Sequence, residues 1–338
     1  MSDPTPFDIH AFDPERLDVP ALLEGIAAHL GQSGATTVAN NWTLTTISAG
    51  EKRTILSAMP DDPAVLPVVA IKLRHGGDSG DVSREYAVLS ALWDFGLRIA
   101  PRPFYASETP PALDAPILIS EWIPGAPLGQ PPAVNEEDRW HRIMALLGVA
   151  NNLPFAKYAN TIPLKGSGAQ APSDIIAGLK AELRTLSTAH PAYEALTGLT
   201  TRVEVQVAPQ WNMAPPFTLN HLDPQPHHFI WDGHHLRLVG WDQADWTDTA
   251  YAVGQLCAHP AYEEVPGSHW VWYRWELARL TKDEYLIPRA TTYTNLLRAW
   301  WAVKLHIEAA HIEDAKRHKR LAAQAERYRK AAERAFPD

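Results

Sequence analysis

The sequence predicts an α+β protein in two parts, a small β-rich N-terminal part and a larger, mainly helical C-terminal part. Three observations predict it. A chain of 338 residues is long for one hydrophobic core and suits two. Short runs of β-type residues fill Thr36–Leu73 and return at Ile117–Ile123. After the turn Pro124-Gly125-Ala126-Pro127, apolar residues recur at helical spacing almost to the end. The boundary is therefore drawn at the turn, with one part over residues 1–123 and the other over 124–338.

Each element has its own warrant. Leu17, Val19, Leu22, Leu23, Ile26 and Leu30 are spaced for a helix over Pro14–Gly31. Trp42–Ile47, Arg53–Leu56 and Leu66–Leu73 read as strands, the first two joined by a hairpin turn at Ser48–Lys52. Pro60-Asp61-Asp62-Pro63 separates the second from the third. Asp81 or Ser83 can start an amphipathic helix over Val82–Leu92. Pro101 and Pro103 bracket an extended segment to Ala106, and Ile117–Ile123 reads as a buried strand. Helices are then expected over Asn135–Ala150, Ser173–Thr188, Asp248–Ala258, Trp270–Leu280, Thr291–Ala310 and Glu313–Ala335.

Composition narrows the class. Hydrophobic residues make up 46% and charged residues 20%, as in ordinary soluble proteins. A net charge of −9 lacks the basic surface that nucleic acid requires. The basic residues of Glu313–Ala335 are interspersed with Glu and Asp and read as a solvated helix face, with an acidic partner as the alternative. The single Cys257 rules out an intrachain disulfide and fits a reducing compartment. Met1–Pro6 lacks the charged and apolar regions of a signal peptide. No apolar run reaches the roughly 18 residues of a membrane span. A cytoplasmic protein with no membrane association is expected. The 13 Trp are expected mainly as core anchors, because indole buries a large area and needs a partner for its N–H.

Four segments carry the chemistry. Val68-Val69-Ala70-Ile71-Lys72 puts a lysine on a strand, and Glu85 lies on the next helix, placed to hold it. Glu121-Trp122-Ile123-Pro124-Gly125 leads from a buried strand into the turn. Ile47–Lys52 is a turn with Ser48 and one glycine, neither a Walker A loop nor G-x-G-x-x-G. Last comes Leu219-Asn220-His221-Leu222-Asp223-Pro224-Gln225-Pro226-His227-His228, followed by Val239-Gly240-Trp241-Asp242.

In this order the segments resemble the aminoglycoside phosphotransferase and choline kinase-like family, with a degenerate metal-binding motif. The resemblance covers about Thr36 to Ala258. It implies a bilobal protein-kinase-like fold, with a small antiparallel N-terminal β-sheet lobe of nucleotide-binding type. The larger helical C-terminal lobe would carry the catalytic loop and substrate pocket. Lys72 with Glu85 would meet the phosphates of ATP, with Ser48 nearby, and the backbone of Glu121 and Ile123 would meet the adenine edge. The family's H-G-D-x-x-x-x-N corresponds to His221-Leu222-Asp223 and onward, so Asp223 takes the catalytic position, with His221 beside it. The metal-binding Asn falls on His228. The family's I-D-W falls on Val239-Gly240-Trp241, and its G-D-P-x-Y-D survives in part as Thr247–Ala252.

Glycine offers no side-chain oxygen, and imidazole is a poor ligand for a hard divalent ion such as Mg²⁺. Asp242 or Asp245 could supply the missing carboxylate for Mg²⁺ or Mn²⁺, with His228. Alternatively, His221, His227, His228, Asp223 and Asp242 could assemble a softer-metal site. His234 and His235 flank Gly233 and are expected at a solvent-facing hairpin tip.

Two functions follow from the resemblance. One is an ATP-dependent transferase, a small-molecule kinase moving the γ-phosphate to a substrate hydroxyl, with its acceptor near Trp241, Trp246, Trp270 and Trp272. The other is a pseudokinase that binds a nucleotide or partner. Retained Lys72, Glu85 and Asp223 favour the enzyme, whereas Gly240, His228 and Leu222 favour the pseudokinase.

Overall fold

A computed structural model describes residues 8–32, 35–76, 81–164, 171–207 and 217–338. Met1–Pro6 lies outside the described residues. The chain divides into two compact units. The first comprises residues 1–127, 158–163 and 229–243, and the second 128–157, 164–228 and 244–338.

The first unit is built on a six-stranded antiparallel sheet ordered β1-β2-β3-β4-β6-β5. The strands are β1 (Thr36–Ala39), β2 (Trp42–Ala49), β3 (Arg53–Pro60), β4 (Val69–Arg74), β5 (Pro103–Ser107) and β6 (Ile117–Glu121). β1 is one strand more than the sequence pattern suggested. Asn40 and Asn41 both take positive φ, +51° and +65°, which makes the two-residue turn joining β1 to β2.

Alternation along β4 decides the unit's two faces. Val69, Ile71 and Leu73 point into an apolar core with Leu44, Leu56 and Ile119 and with Leu22, Leu23 and Ile26 of α1 (Val19–Leu30). Ala70, Lys72 and Arg74 therefore face the other way. There, α2 (Asp81–Asp94) packs, placing Val82, Glu85, Val88, Leu89 and Leu92 on its buried stripe. Glu85 is the one carboxylate on that stripe.

The turn after β6 is fixed by β7 (Ala126–Pro127), which pairs with β9 (Phe229–Trp231). β9 forms a hairpin with β10 (Leu236–Leu238), and the Leu238 N–H donates to the Ile99 carbonyl at 2.7 Å. These bonds explain why Phe229–Gln243 joins the first unit although it comes late in sequence. Gly125 has φ +119°, and a Cβ there would collide with the Trp231 backbone. His234 and His235 are exposed at the hairpin tip, and Asp232 accepts both their N–H groups.

The second unit is mainly helical. It holds α3 (Glu137–Val149), α5 (Pro172–Leu183), α6 (Tyr193–Val207), α7 (Thr249–Ala258), α8 (Gly267–Thr281), α9 (Leu286–Ala310) and α10 (Ala315–Ala335), with the short α4 (Phe155–Tyr158) at its border. α6 is a helix in a stretch to which the sequence pattern assigns no element. Its Val203-Glu204-Val205-Gln206-Val207 alternates like a strand, yet Leu196, Leu199, Thr200, Val203 and Val207 form the buried stripe of a helix. Tertiary packing here overrides β-type local preference. α10 seats Ala325, Tyr328 and Ala332 inward and turns its charges outward.

A two-stranded antiparallel ribbon, β8 (Thr218–Asn220) with β11 (Asp245–Thr247), stands at the entrance of the Asp223 loop. Tryptophans 140, 241 and 246 are wholly buried and Trp270 nearly so. Trp241 donates its indole N–H to the Leu238 carbonyl. The expectation of an acceptor against Trp241 and Trp246 is therefore corrected, because wholly buried rings offer it no surface. Among the described residues no helix is long and apolar enough to cross a membrane.

Candidate active site

In the first unit, Lys72 and Arg74 extend from the polar face of β4 into a closed ionic network. The Lys72 ammonium donates to Glu85 at 2.7 Å and to Asp242 at 2.9 Å. The Arg74 guanidinium reaches the second Asp242 oxygen at 3.1 Å and Asp81 at 3.2 Å. Gln243 donates to Asp242 as well, at 3.0 Å. Asp242 sits in a 3₁₀ turn over Trp241–Gln243, which the buried Trp241 anchors.

Burial sets the ionisation of this network, and charge partners then compete with it. Burial disfavours the Lys72 charge, but Glu85 and Asp242 together outweigh it and raise the ammonium's pKa. Burial likewise opposes the Asp242 charge, yet Lys72 and Arg74 hold its carboxyl far below the usual range. Glu85 is pushed up by its complete burial, because Asp242 shares the ammonium with it.

Two pH-dependent outcomes follow. Asp242, with its pKa lowered by folding, contributes stability above the unfolded carboxyl value of about 3.9 and loses it as pH falls toward its folded value. The stability gap between wild type and Asp242→Asn, read by urea unfolding, should therefore be full at pH 7 and shrink below about pH 4. Lys72→Met has the opposite slope. It strands Glu85 in the interior, where burial raises its pKa, so the variant's stability falls as pH rises. Its melting deficit should be larger at pH 8 than at pH 5, and an equal deficit would contradict a buried Glu85 charge.

Ser48 lies in β2 beside a bulge that shifts its register against β3. Glu121 and Ile123 lie at the end of β6, where the Glu121 N–H donates to the Arg102 carbonyl and the Trp122 N–H to the Val68 carbonyl. The buried Glu121 side chain has a role the sequence did not reveal. It holds Arg237 through both carboxylate oxygens and accepts the Arg102 N–H, clamping the β9–β10 hairpin to the end of β6. Glu121 and Arg237 are 116 residues apart, so no local pattern marks the pair.

In the second unit, the loop after β8 is held from both ends. The Asn220 amide donates to Thr218 and Thr247 across the ribbon. Leu222 takes φ +58°, a left-handed conformation that costs an L-residue about 1–2 kcal/mol and that glycine adopts freely. Leucine thus occupies a backbone conformation that favours glycine. Tyr262 donates its buried hydroxyl to the Pro224 carbonyl and pins the loop's far side.

Asp223 remains partly open, with its side chain 27% exposed. One carboxylate oxygen accepts Gln225 Nε2 at 2.9 Å. His228 Nδ1 bonds the Asp223 carbonyl at 2.7 Å, so the residue in the asparagine position orients the loop backbone. His221 is buried with its ring 5.6 Å from that of His228. Sequence reasoning missed His259, whose burial holds its pKa down to about 4 against the pull of Asp223. It therefore lies neutral beside the loop at physiological pH, and only folding brings it there from 36 residues downstream.

The donor set does not suit a hard divalent ion. Gly240 takes φ +77° and has no ligating atom. Both Asp242 oxygens are engaged by cations, and Asp245 is buried and accepts its neighbour's N–H. Among the described residues no three His, Cys, Asp or Glu side chains converge as a metal group. The histidines and carboxylates expected at a softer-metal site, His221, His227, His228, Asp223 and Asp242, are therefore not among any such group; His228 bonds to backbone instead, and Asp242 to Lys72 and Arg74.

Comparison with curated protein sequences returns no match. The chain's fold is similar to that of a thermostable mutant of the aminoglycoside phosphotransferase APH(4)-Ia, with a TM-score of 0.61, 12% identity, and coverage of 93% of this chain and 99% of the other. Choline kinase from Cryptosporidium parvum Iowa II gives 0.59 at 11% identity, over 94% and 96%. Plasmodium vivax ethanolamine kinase gives 0.57 at 11% identity, over 87% and 82%. These likenesses establish the protein-kinase-like fold. The model of the phosphotransferase enzyme family known as APH matches residues 67–283, from just before β4 through the Asp223 loop to the end of α8. With the match running through Lys72, Glu85, Asp223 and Asp248, the chain belongs to the phosphotransferase enzyme family.

Proposed function

We propose that the protein is an ATP-dependent small-molecule kinase that transfers the γ-phosphate to a substrate hydroxyl. The observation that carries this reading is Lys72, held protonated at 2.7 Å from Glu85 on the polar face of β4. A fixed ammonium neutralises phosphate charge at no cost of reorganisation, and electrostatic stabilisation is the largest contribution such proteins make to phosphoryl transfer. Arg74 adds a second cation on the same face, bonded to the same carboxylate. The backbone of Glu121 and Ile123 and the turn beside Ser48 complete the nucleotide-binding role.

Asp223 acts as the base. It takes the proton of the acceptor hydroxyl as the new O–P bond forms and the bond from the γ-phosphorus to the β–γ bridging oxygen breaks, leaving ADP. His221 and His228 orient the loop rather than ligate a metal, and no step runs through a protein-held metal ion. Solved members of this fold have been seen with ADP and hygromycin B, and with ADP and spectinomycin. That supports a nucleotide together with a small hydroxylated acceptor.

Two measurements test this reading together. ADP and ATP should raise the melting temperature, with Mg²⁺, with Mn²⁺ and without added metal. ADP release should depend on an acceptor from a panel of aminocyclitols and amino alcohols. No melting shift under any metal condition, with no acceptor-dependent ADP release, would reject the kinase.

A further inference from the structure

α8, α9 and α10, with Tyr262 and Glu263 from the turn before α8, line a half-open pocket of about 420 Å³ within the second unit. That volume suits a small organic ligand. Its charge is one-sided. Arg298, Arg327, Lys330 and Arg334 line it, against a single lining carboxylate, Glu263. Glu263 is consumed by Arg327, which it binds through both oxygens at 2.6 and 2.9 Å. Lys330 shares Glu326 with Arg329.

Two cations are left over. Among the described residues neither Arg298 nor Arg334 forms a hydrogen bond or ion pair. Arg334 is exposed at the rim, whereas Arg298 is partly buried on α9. Burial lowers the Arg298 pKa against the opposing pull of Cys257 and Tyr328, and repulsion from Arg274 and Arg334 adds to the lowering. Arg274, behind it, has a buried Nε without a partner. Guanidinium groups taken partly out of water without a counter-charge destabilise a fold, so their clustering calls for an anion to offset it. Trp270, Tyr262 and Tyr328 give the wall its aromatic part, beside small and aliphatic residues such as Val265 and Ala331.

We propose that this cavity binds an organic anion, a phosphate monoester or carboxylate with a flat apolar body. The anionic head would meet Arg298 and Arg334 and the body would lie against Trp270 and Tyr328. The proposal does not depend on the kinase reading, since the two cations it rests on, Arg298 and Arg334, have no part in that reading.

Phenyl phosphate and benzoate serve as probes, with phenol as the uncharged control. Titration calorimetry with the full chain, in the presence of saturating ADP, should show one site for phenyl phosphate and none for phenol. Arg298→Met should weaken that binding at least tenfold. The same substitution should raise the unliganded melting temperature, because it removes an uncompensated buried charge. Arg334→Gln, at the rim, should weaken binding by about threefold with the melting temperature unchanged. Undiminished phenyl phosphate binding in Arg298→Met, or equal binding of phenol, would overturn the proposal. Benzoate binding alone would support it with a carboxylate as the preferred head, and absence of binding by both anions would overturn it. ADP binding that fails while phenyl phosphate still binds would reject the kinase reading and leave this one standing.

Discussion

Asp223→Asn should lower acceptor-dependent kcat by about 10²–10⁴-fold, the usual contribution of a positioned general base. The side chain is isosteric, so the loop should keep its shape. His228 bonds the Asp223 backbone carbonyl rather than its carboxylate, and Tyr262 holds Pro224 independently. Stability should change by about 1 kcal/mol or less, the worth of the single bond to Gln225. Nucleotide affinity should be unchanged, because the cations assigned to phosphate are Lys72 and Arg74. Single-turnover rates with nucleotide-shifted melting as the control would check it. A variant that loses nucleotide binding in parallel with turnover would place Asp223 in nucleotide binding instead of proton transfer.

Asp248→Ala should be the most damaging single change to stability, at about 3–5 kcal/mol. Asp248 is 1% exposed and performs two tasks. Its Oδ1 caps α7 by accepting the Ala250 N–H at 2.9 Å. Both its oxygens accept from Arg289 at 2.9 Å, in the fork arrangement that suits guanidinium. Burial works against the Arg289 charge, but Asp248 and Asp283 overcome it and raise its pKa. Removing Asp248 strands that charge between α7 and α9, with only the half-exposed side of the network, Asp283, to meet it. Asp283→Ala should cost far less, about 1 kcal/mol, because its carboxylate is 23% exposed. Pairing Asp248→Ala with Arg289→Met should recover part of the loss, since no buried charge then remains unpaired. Urea unfolding of the four proteins makes the comparison, and equal losses for Asp248→Ala and Asp283→Ala would refute the buried-pair account.

The same aspartate shows how the sequence carried its information. Thr247-Asp248-Thr249 was recognisable as the remnant of a family motif, and its distance from Gly240 gave the register. Its partner Arg289 was not recognisable, because it lies 41 residues away on a helix whose other arginine, Arg298, reads identically. Lys72 and Glu85 were legible because both periodicities are local. Alternation along a strand fixes the face of Lys72, and helical spacing from Val82 to Leu92 fixes that of Glu85. Arg74 follows from the same alternation, two residues beyond Lys72, and went unremarked for lack of a motif naming it.

Asp242 was the hardest position. Linear register put Gly240 where the family's metal aspartate belongs and left Asp242 two places late. In the fold, Asp242 sits between two cations, a consequence of the Trp241 anchor and the β9–β10 hairpin rather than of spacing. The histidines followed the opposite course. Their clustering in sequence suggested metal, but His234 and His235 turn to solvent, while His228 bonds to backbone.

By itself, the sequence determined the α+β order, the strand lysine with its helix glutamate, the catalytic-type loop around Asp223, and the loss of a ligating side chain at Gly240. Patterns of period 2 and 3.6 and short motifs carry that much, because they depend on residues close in the chain. The tertiary structure alone decided which charges meet. It paired Asp242 with Lys72 and Arg74, Glu121 with Arg237, and Asp248 with Arg289, and it left Arg298 without an ion pair among the described residues. Those choices turn on desolvation, which a residue acquires only when segments distant in sequence close around it.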